Sequence, residues 1–174
     1  MAGSTVEFTA ASVEARREEI KQKALQIAVE SKVVASEADA VVRDLLPTDI
    51  GASEPHWEQT LNTAGGYNQV YNADLDDKRI VVIYGAIVPE GTNASALKFN
   101  LGTSKVIDIW DLDKAKHTED HMIIADEPII YHKSATVNIE AYLPSGVTTP
   151  ATDNIVLLGI VVEPKGKTIS PESY

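Results

Sequence analysis

Two apolar runs, residues 80–88 and 155–162, constrain this chain more than any other feature. Both fall far short of the ~20 residues that cross a bilayer as a helix. Both are dominated by Ile and Val, whose branched Cβ suits a pleated backbone better than a helical one. Neither alternates with polar residues, so each reads as a strand with two apolar faces, central in its sheet and covered on both sides. The cover has to come from a second sheet, a helix of the same chain, or a neighbouring subunit.

Shorter strand-like segments surround these runs. Segments 67–72, 79–88, 95–101, 104–112, 121–124, 128–132, 136–143 and 154–163 are rich in Val, Ile, Leu and Tyr and are separated by turn residues. Val137-Asn138-Ile139-Glu140-Ala141-Tyr142 alternates cleanly, leaving one polar face, whereas Val106-Ile107-Asp108-Ile109-Trp110 breaks the alternation. Asp74 to Asp77, Pro89-Glu90-Gly91-Thr92-Asn93, Gly102-Thr103 and Pro144-Ser145-Gly146 supply the reversals. Strands of this number with no helix between them predict a mainly β fold. The expected form is an antiparallel, jelly-roll-like β-sandwich of about eight strands.

Upstream the texture is helical. Residues 12–34 are rich in Ala, Glu, Lys, Arg and Gln, contain no Gly or Pro, and predict a helix with Ser12 as its N-cap. Val13, Ile20, Ala24, Ile27 and Val34 fall on one stripe. A second helix is expected from Ser36, with Val41, Val42, Leu45 and Leu46 as its apolar face and Pro47 as its end. The resulting division is an N-terminal helical arm (1–46), a connector (47–66) anchored by Trp57 and Leu61, and a β-sandwich domain (67–174). The arm's stripe has two available seats: its own sandwich, or equivalent helices of neighbouring copies around a symmetry axis. Ile20, Ala24, Ile27, Val34, Leu45, Leu46 and Trp57 are therefore the candidate interface residues.

Charge and composition remove several classes of function. The chain of 174 residues has no cysteine, which excludes disulfide staples, thiolate metal sites and cysteine nucleophiles. Its net charge of −11 repels nucleic acid and anionic membrane surfaces. The first residues, Met1-Ala2-Gly3-Ser4-Thr5, lack the basic and apolar regions of a secretory signal, so synthesis in the cytoplasm is expected.

No constellation of catalytic residues stands out. His117 and His121 lie four apart with Glu119 and Asp120 between them, and would share a metal if the segment were helical. The segment falls in a strand connection, and the acid does not follow the first histidine, so a solvated loop is the plainer reading. A cupin-like site using His117, His121 and His132 lacks the paired histidines one residue apart on a strand. Asp108, Asp111 and Asp113 surround Trp110 without the glycine turn of a calcium loop. No phosphate-binding glycine loop and no nucleophile elbow occurs. No cofactor is expected. Asn93-Ala94-Ser95 fits a glycosylation acceptor, and an ordinary turn asparagine equally well. Trp57, Trp110, Tyr67, Tyr71, Tyr131 and Tyr142 fit core or interface positions better than a sugar platform.

Several phrases carry a resemblance. Residues 78–85, Leu97-Lys98-Phe99-Asn100-Leu101-Gly102, Val106-Ile107-Asp108-Ile109-Trp110-Asp111-Leu112, Pro128-Ile129-Ile130-Tyr131, Val137-Asn138-Ile139 and residues 157–169, with 42–51 and Trp57 upstream, resemble the jelly-roll decoration, cement or turret proteins of tailed bacterial and archaeal viruses. The resemblance spans roughly residues 42–169 and is one of texture, without a diagnostic motif. It implies a subunit of the outer capsid surface, usually trimeric or pentameric, with the major capsid protein as partner and no catalytic residues. Single-jelly-roll coat proteins of tailless viruses are the nearest alternative. A carbohydrate- or receptor-binding sandwich is the alternative from another class.

Overall fold

The computed structural model describes residues 10–166. Helix α1 (Ala10–Glu30) is followed by β1 (Ala40–Asp44), β2 (Gln59–Leu61), β3 (Gly66–Asp74), β4 (Ile80–Ile87), β5 (Ala96–Leu101) and β6 (Lys105–Asp111). A one-turn helix, α2 (Asp113–Lys116), leads to β7 (Met122–Tyr131), β8 (Thr136–Leu143), β9 (Ala151–Asp153) and β10 (Val156–Pro164).

The strands form one long hairpin rolled up on itself. The first pairs with the last, β1 with β10, and so inward through β2 with β9, β3 with β8, β4 with β7 and β5 with β6, all antiparallel. Pairing of β10 with β4 and of β5 with β8 rolls this hairpin into two four-stranded sheets, ordered β1-β10-β4-β7 and β3-β8-β5-β6. That winding is a jelly roll. The short β2/β9 pair forms a separate ribbon.

The two doubly apolar runs become β4 and β10, the central strands of the first sheet. Their inward residues Val81, Ile83, Leu157 and Val161 join Phe99, Tyr131 and Ile139 in the core between the sheets. Their outward residues Ile80, Val82, Tyr84, Ile160 and Val162 meet Ile20, Ala24, Leu25 and Ala28 of α1, with Val33 and Val34 from the turn after it. Ala24 and Ala28 let the helix lie close to the sheet, and each fully buried Ile, Leu or Val adds about 1.5–3 kcal/mol. The cover demanded by the sequence thus comes from the chain's own helix.

Several expectations need correction. The second helix expected from Ser36 is a 3-10 turn, Glu37–Asp39, followed by strand β1. Val41, Val42, Leu45 and Leu46 fit either period, and β-branched Val41 and Val42 go to the strand because β10 offers an edge to pair with. Ser36 donates its hydroxyl to Asp39 (2.8 Å) and caps no helix. Helix α1 starts at Ala10, so Ser12 lies inside it. Segments 121–124 and 128–132 are one strand, β7, whose pairing with β4 is interrupted between Ile124 and Ile129. Pro128 is tolerated there because β7 is an edge strand. The boundary expected at residue 67 falls inside the sandwich, since β1 and β2 precede it. Residues 1–9 of the expected arm, together with residues 167–169 of the resemblance, lie outside the described residues.

Candidate functional site

A two-layer sandwich has two long sides where its sheets end. Here β1 and β3 bound one side, β7 and β6 the other. The chain finishes these sides in opposite ways.

The β1/β3 side is sealed. After β1 the chain crosses toward β3 in a 3-10 turn, Pro47–Ile50, burying Leu45 and Ile50 in the core. Asp49 closes this turn by accepting the Leu46 N–H (2.8 Å). It also takes two hydrogen bonds from the Arg43 guanidinium, both 2.7 Å. Glu163 of β10, fully buried, accepts from Arg79 and lies 3.4 Å from Arg43 Nη2. The two buried carboxylates thus each meet a partly exposed guanidinium, the pairing under which buried charge is tolerated. Hydrogen bonding to Asp49 pushes the Arg43 pKa above its already high ordinary value, against the pull of desolvation. Gly51 ends the turn at φ +102°, where a Cβ would sit 1.9 Å from the Asn72 carbonyl oxygen of β3.

The loops between the sheets are pinned in the same spirit. Buried Asp153 accepts from Asn93 N (2.7 Å), Asn93 Nδ2 (2.9 Å) and Ala94 N (2.9 Å). The Asn93 of the glycosylation-like triplet is therefore turned inward to hold its own loop. Gln59 donates to the Tyr71 hydroxyl (2.7 Å) and the Ile155 carbonyl (2.9 Å), and accepts from Ile155 N (2.8 Å). Burial, partly offset by the Gln59 bond, pushes the Tyr71 pKa up to about 12. Burial likewise raises that of Tyr131, whose hydroxyl donates to the Asn100 carbonyl (3.1 Å).

The β6/β7 side is open. Strand β6 is exposed along its length except at Trp110. Of the large apolar side chains left exposed among the described residues, Val106 (50 %), Ile107 (38 %) and Ile109 (51 %) are all on this strand. A bulge against β5, between Phe99 and Asn100, takes Ile107 out of register and accounts for the broken alternation in the sequence. Val106 and Ile109 stand opposite Asn100 and Lys98, on the sheet's outer face. Trp110 faces inward against Phe99, ring centroids 4.4 Å apart. Asp108 accepts the Ile109 amide (2.8 Å) and the Trp110 indole N–H (3.2 Å), so its carboxylate occupies a backbone donor at this edge.

Across from β6, the bulged part of β7 carries Ala125, Asp126 and Glu127. Arg16 of α1 donates to the Ala125 (3.1 Å) and Asp126 (2.7 Å) carbonyls. Between the two strands runs a groove of about 420 Å³ whose lining includes Trp110, Ile123 and Ile124 and the carboxylates Asp108, Asp111, Asp126 and Glu127.

The residues singled out in the sequence distribute unevenly over this frame. Among the candidate interface residues, Ile20, Ala24, Val34 and Leu45 are buried within the chain's own core, Ile27 and Trp57 are half-buried, and Leu46 is exposed. Trp57 packs edge-on against Tyr71 at 5.7 Å. The arm's stripe thus packs on its own sheet. His117 is exposed, and His121 sits at φ +50° just before β7. His132 follows the far end of that strand, so it and His121 lie at opposite ends of β7. Among the described residues no three His, Asp or Glu side chains, Asp120 included, group as metal ligands. Trp110 and Tyr131, the aromatics a sugar-binding reading would use, are buried. Tyr67 is partly exposed, but Lys98 Nζ lies 3.9 Å over its ring. Sequence reading missed the exposed row on β6, whose only trace is the broken alternation around Ile107.

The sequence matches no family model and no curated protein. Among solved structures, a Bacillus endospore appendage protein is similar over 72 % of this chain and 87 % of its own, at 8 % identity and a TM-score of 0.33. The C-terminal carbohydrate-binding module of a laminarinase from Zobellia galactanivorans is similar over 71 % of this chain and 99 % of its own, at 8 % identity and a TM-score of 0.34. VP2 of infectious bursal disease virus, in a subviral particle, is similar over 71 % of this chain and 32 % of its own, at 8 % identity and a TM-score of 0.31. The fold assignment rests on this chain's own strand order.

Proposed function

We propose that this chain is a non-catalytic structural subunit that decorates or cements a virion surface as a homo-oligomer. The outer face of β6 is its contact with the neighbouring copy. The observation that carries this reading is the row Val106, Ile107 and Ile109, exposed together on one edge strand. An edge strand with apolar side chains on its open face is a surface that proteins ordinarily cover. Covering what remains exposed on these three side chains yields about 3 kcal/mol before ordering costs.

Two further features support the reading. A net charge of −11 suits a protein held outside a shell, away from packaged nucleic acid. The jelly roll is a fold of many capsid proteins, a fold-level analogy only. The major capsid protein as second partner and the outer virion surface as location follow from the resemblance.

Rings of three or five need a contact between unlike patches, so β6 of one copy would meet a different surface of the next. Native mass spectrometry of the protein and of its Val106→Lys/Ile109→Lys variant tests the proposal. The expected result is a trimer or pentamer that the double variant reduces to monomers with an unchanged circular dichroism spectrum. A strictly monomeric parent protein overturns it.

A further inference from the structure

We infer that the groove between β6 and β7 binds an extended segment of a different protein in which apolar residues alternate with Lys or Arg. The inference deepens the assembly reading and rests on it, since it supplies the chemistry of the subunit's second partner. It uses another face of β6: Val106 and Ile109 point outward from the sheet, whereas Trp110 points inward, toward the groove and the core.

Two observations carry it. The groove lies where both sheets end and is lined by the edge strands β6 and β7, the geometry in which an extended chain is received. Its lining combines apolar Trp110, Ile123 and Ile124 with four carboxylates, Asp108 and Asp111 from β6 and Asp126 and Glu127 from β7. An occupant therefore needs apolar side chains pointing in and cations flanking them.

Charge decides between occupants. The β6 edge of a second copy would bring its own Asp108 and Asp111 against four carboxylates. A basic segment instead meets opposite charge from both strands, with an attraction that added salt screens.

The test uses two synthetic peptides, one alternating Val or Ile with Lys or Arg, the other with Glu and Asp in the basic positions. Emission of Trp110 is followed in the full chain carrying Trp57→Phe, at low and high salt. The expected result is saturable binding of the basic peptide alone, weakened at least tenfold by high salt and by Asp126→Lys/Glu127→Lys. Asp111→Lys, on β6, gives the same loss should the double variant fold poorly. Equal binding of both peptides, no binding of the basic one, or unchanged binding by a folded carboxylate variant overturns the inference. So does a Trp110 change on concentrating the Val106→Lys/Ile109→Lys variant alone, which assigns the groove to a second copy. Native mass spectra of the same samples separate the two proposals. A monomer that still binds the basic peptide counts against the homo-oligomer, and an oligomer that ignores the peptide counts against the groove.

Discussion

The two long sides of this sandwich are made of similar strands and end in opposite states. At β1 and β3 the chain folds a turn over the gap, inserts Leu45 and Ile50, and neutralises Arg43 and Arg79 with Asp49 and Glu163. At β6 and β7 it leaves a groove lined in part by carboxylates and a row of exposed Val and Ile. A jelly roll wound from one hairpin creates both sides at once, so their different treatment is a property of the side chains. The sealed side holds the molecule together. The open side is the one that the proposed assembly would cover.

Breaking the sealed side should cost most. Asp49→Ala strips Arg43 of its bidentate partner and the turn of its cap, and is expected to destabilise by about 3–5 kcal/mol. For a chain of this size that is a fall of roughly 10 °C in the melting temperature, read by calorimetry. A melt unchanged by this substitution would erase the contrast between the sides.

The helix face comes next. Ile20 is 2 % exposed against the sheet, so Ile20→Ala is expected to cost about 3 kcal/mol in urea unfolding, and half-buried Ile27→Ala clearly less. Val106→Ala on the open side should change stability by no more than about 0.5 kcal/mol. A separable arm would show the reverse order.

Alkaline pH sharpens the same division. Tyr71 is raised to about 12 and Tyr131 also above the ordinary tyrosine value, both by burial. Below pH 10 folded and unfolded states hold these protons alike. Above it the unfolded chain loses them first, so stability falls as pH rises toward the folded values. Each tyrosine contributes up to about 1.4 kcal/mol per pH unit over that window. Urea titrations between pH 9 and about 11.5 should show this slope, and Tyr131→Phe should flatten it. A profile level through that range would contradict the burial of both rings.

A smaller effect than that of Ile20→Ala is expected from the carboxylate at the open edge. Asp108→Ala frees the Ile109 amide and the Trp110 indole at a cost of about 1 kcal/mol, and should raise light scattering on concentration. Unchanged scattering would mean that the carboxylate does not guard this edge.

How much of this was legible in the sequence follows from the range of the interactions involved. The central strands were plain because runs such as 80–88 have one sensible state, and the alternation of 136–143 fixes which face of β8 is buried. Strand β1 was hidden because Val41, Val42, Leu45 and Leu46 suit a helix as well as a strand, and only the edge of β10, more than a hundred residues away, decides. The β2/β9 ribbon is too short to mark itself. Residues 125–127 separate two expected strands, 121–124 and 128–132, and belong to a bulge inside the single strand β7. The groove was invisible because Asp108 and Asp111 meet Asp126 and Glu127 only once the hairpin is rolled. The histidines drew attention by their spacing, yet folding sets His121 and His132 at opposite ends of one strand.

Hydrogen–deuterium exchange of the protein, dilute and concentrated, tests the central claim most directly. Amides of β6 should gain protection on concentration while those of α1, β4 and β10 stay as they were. Protection appearing on α1 or the β1/β3 side, with β6 unchanged, would contradict the account.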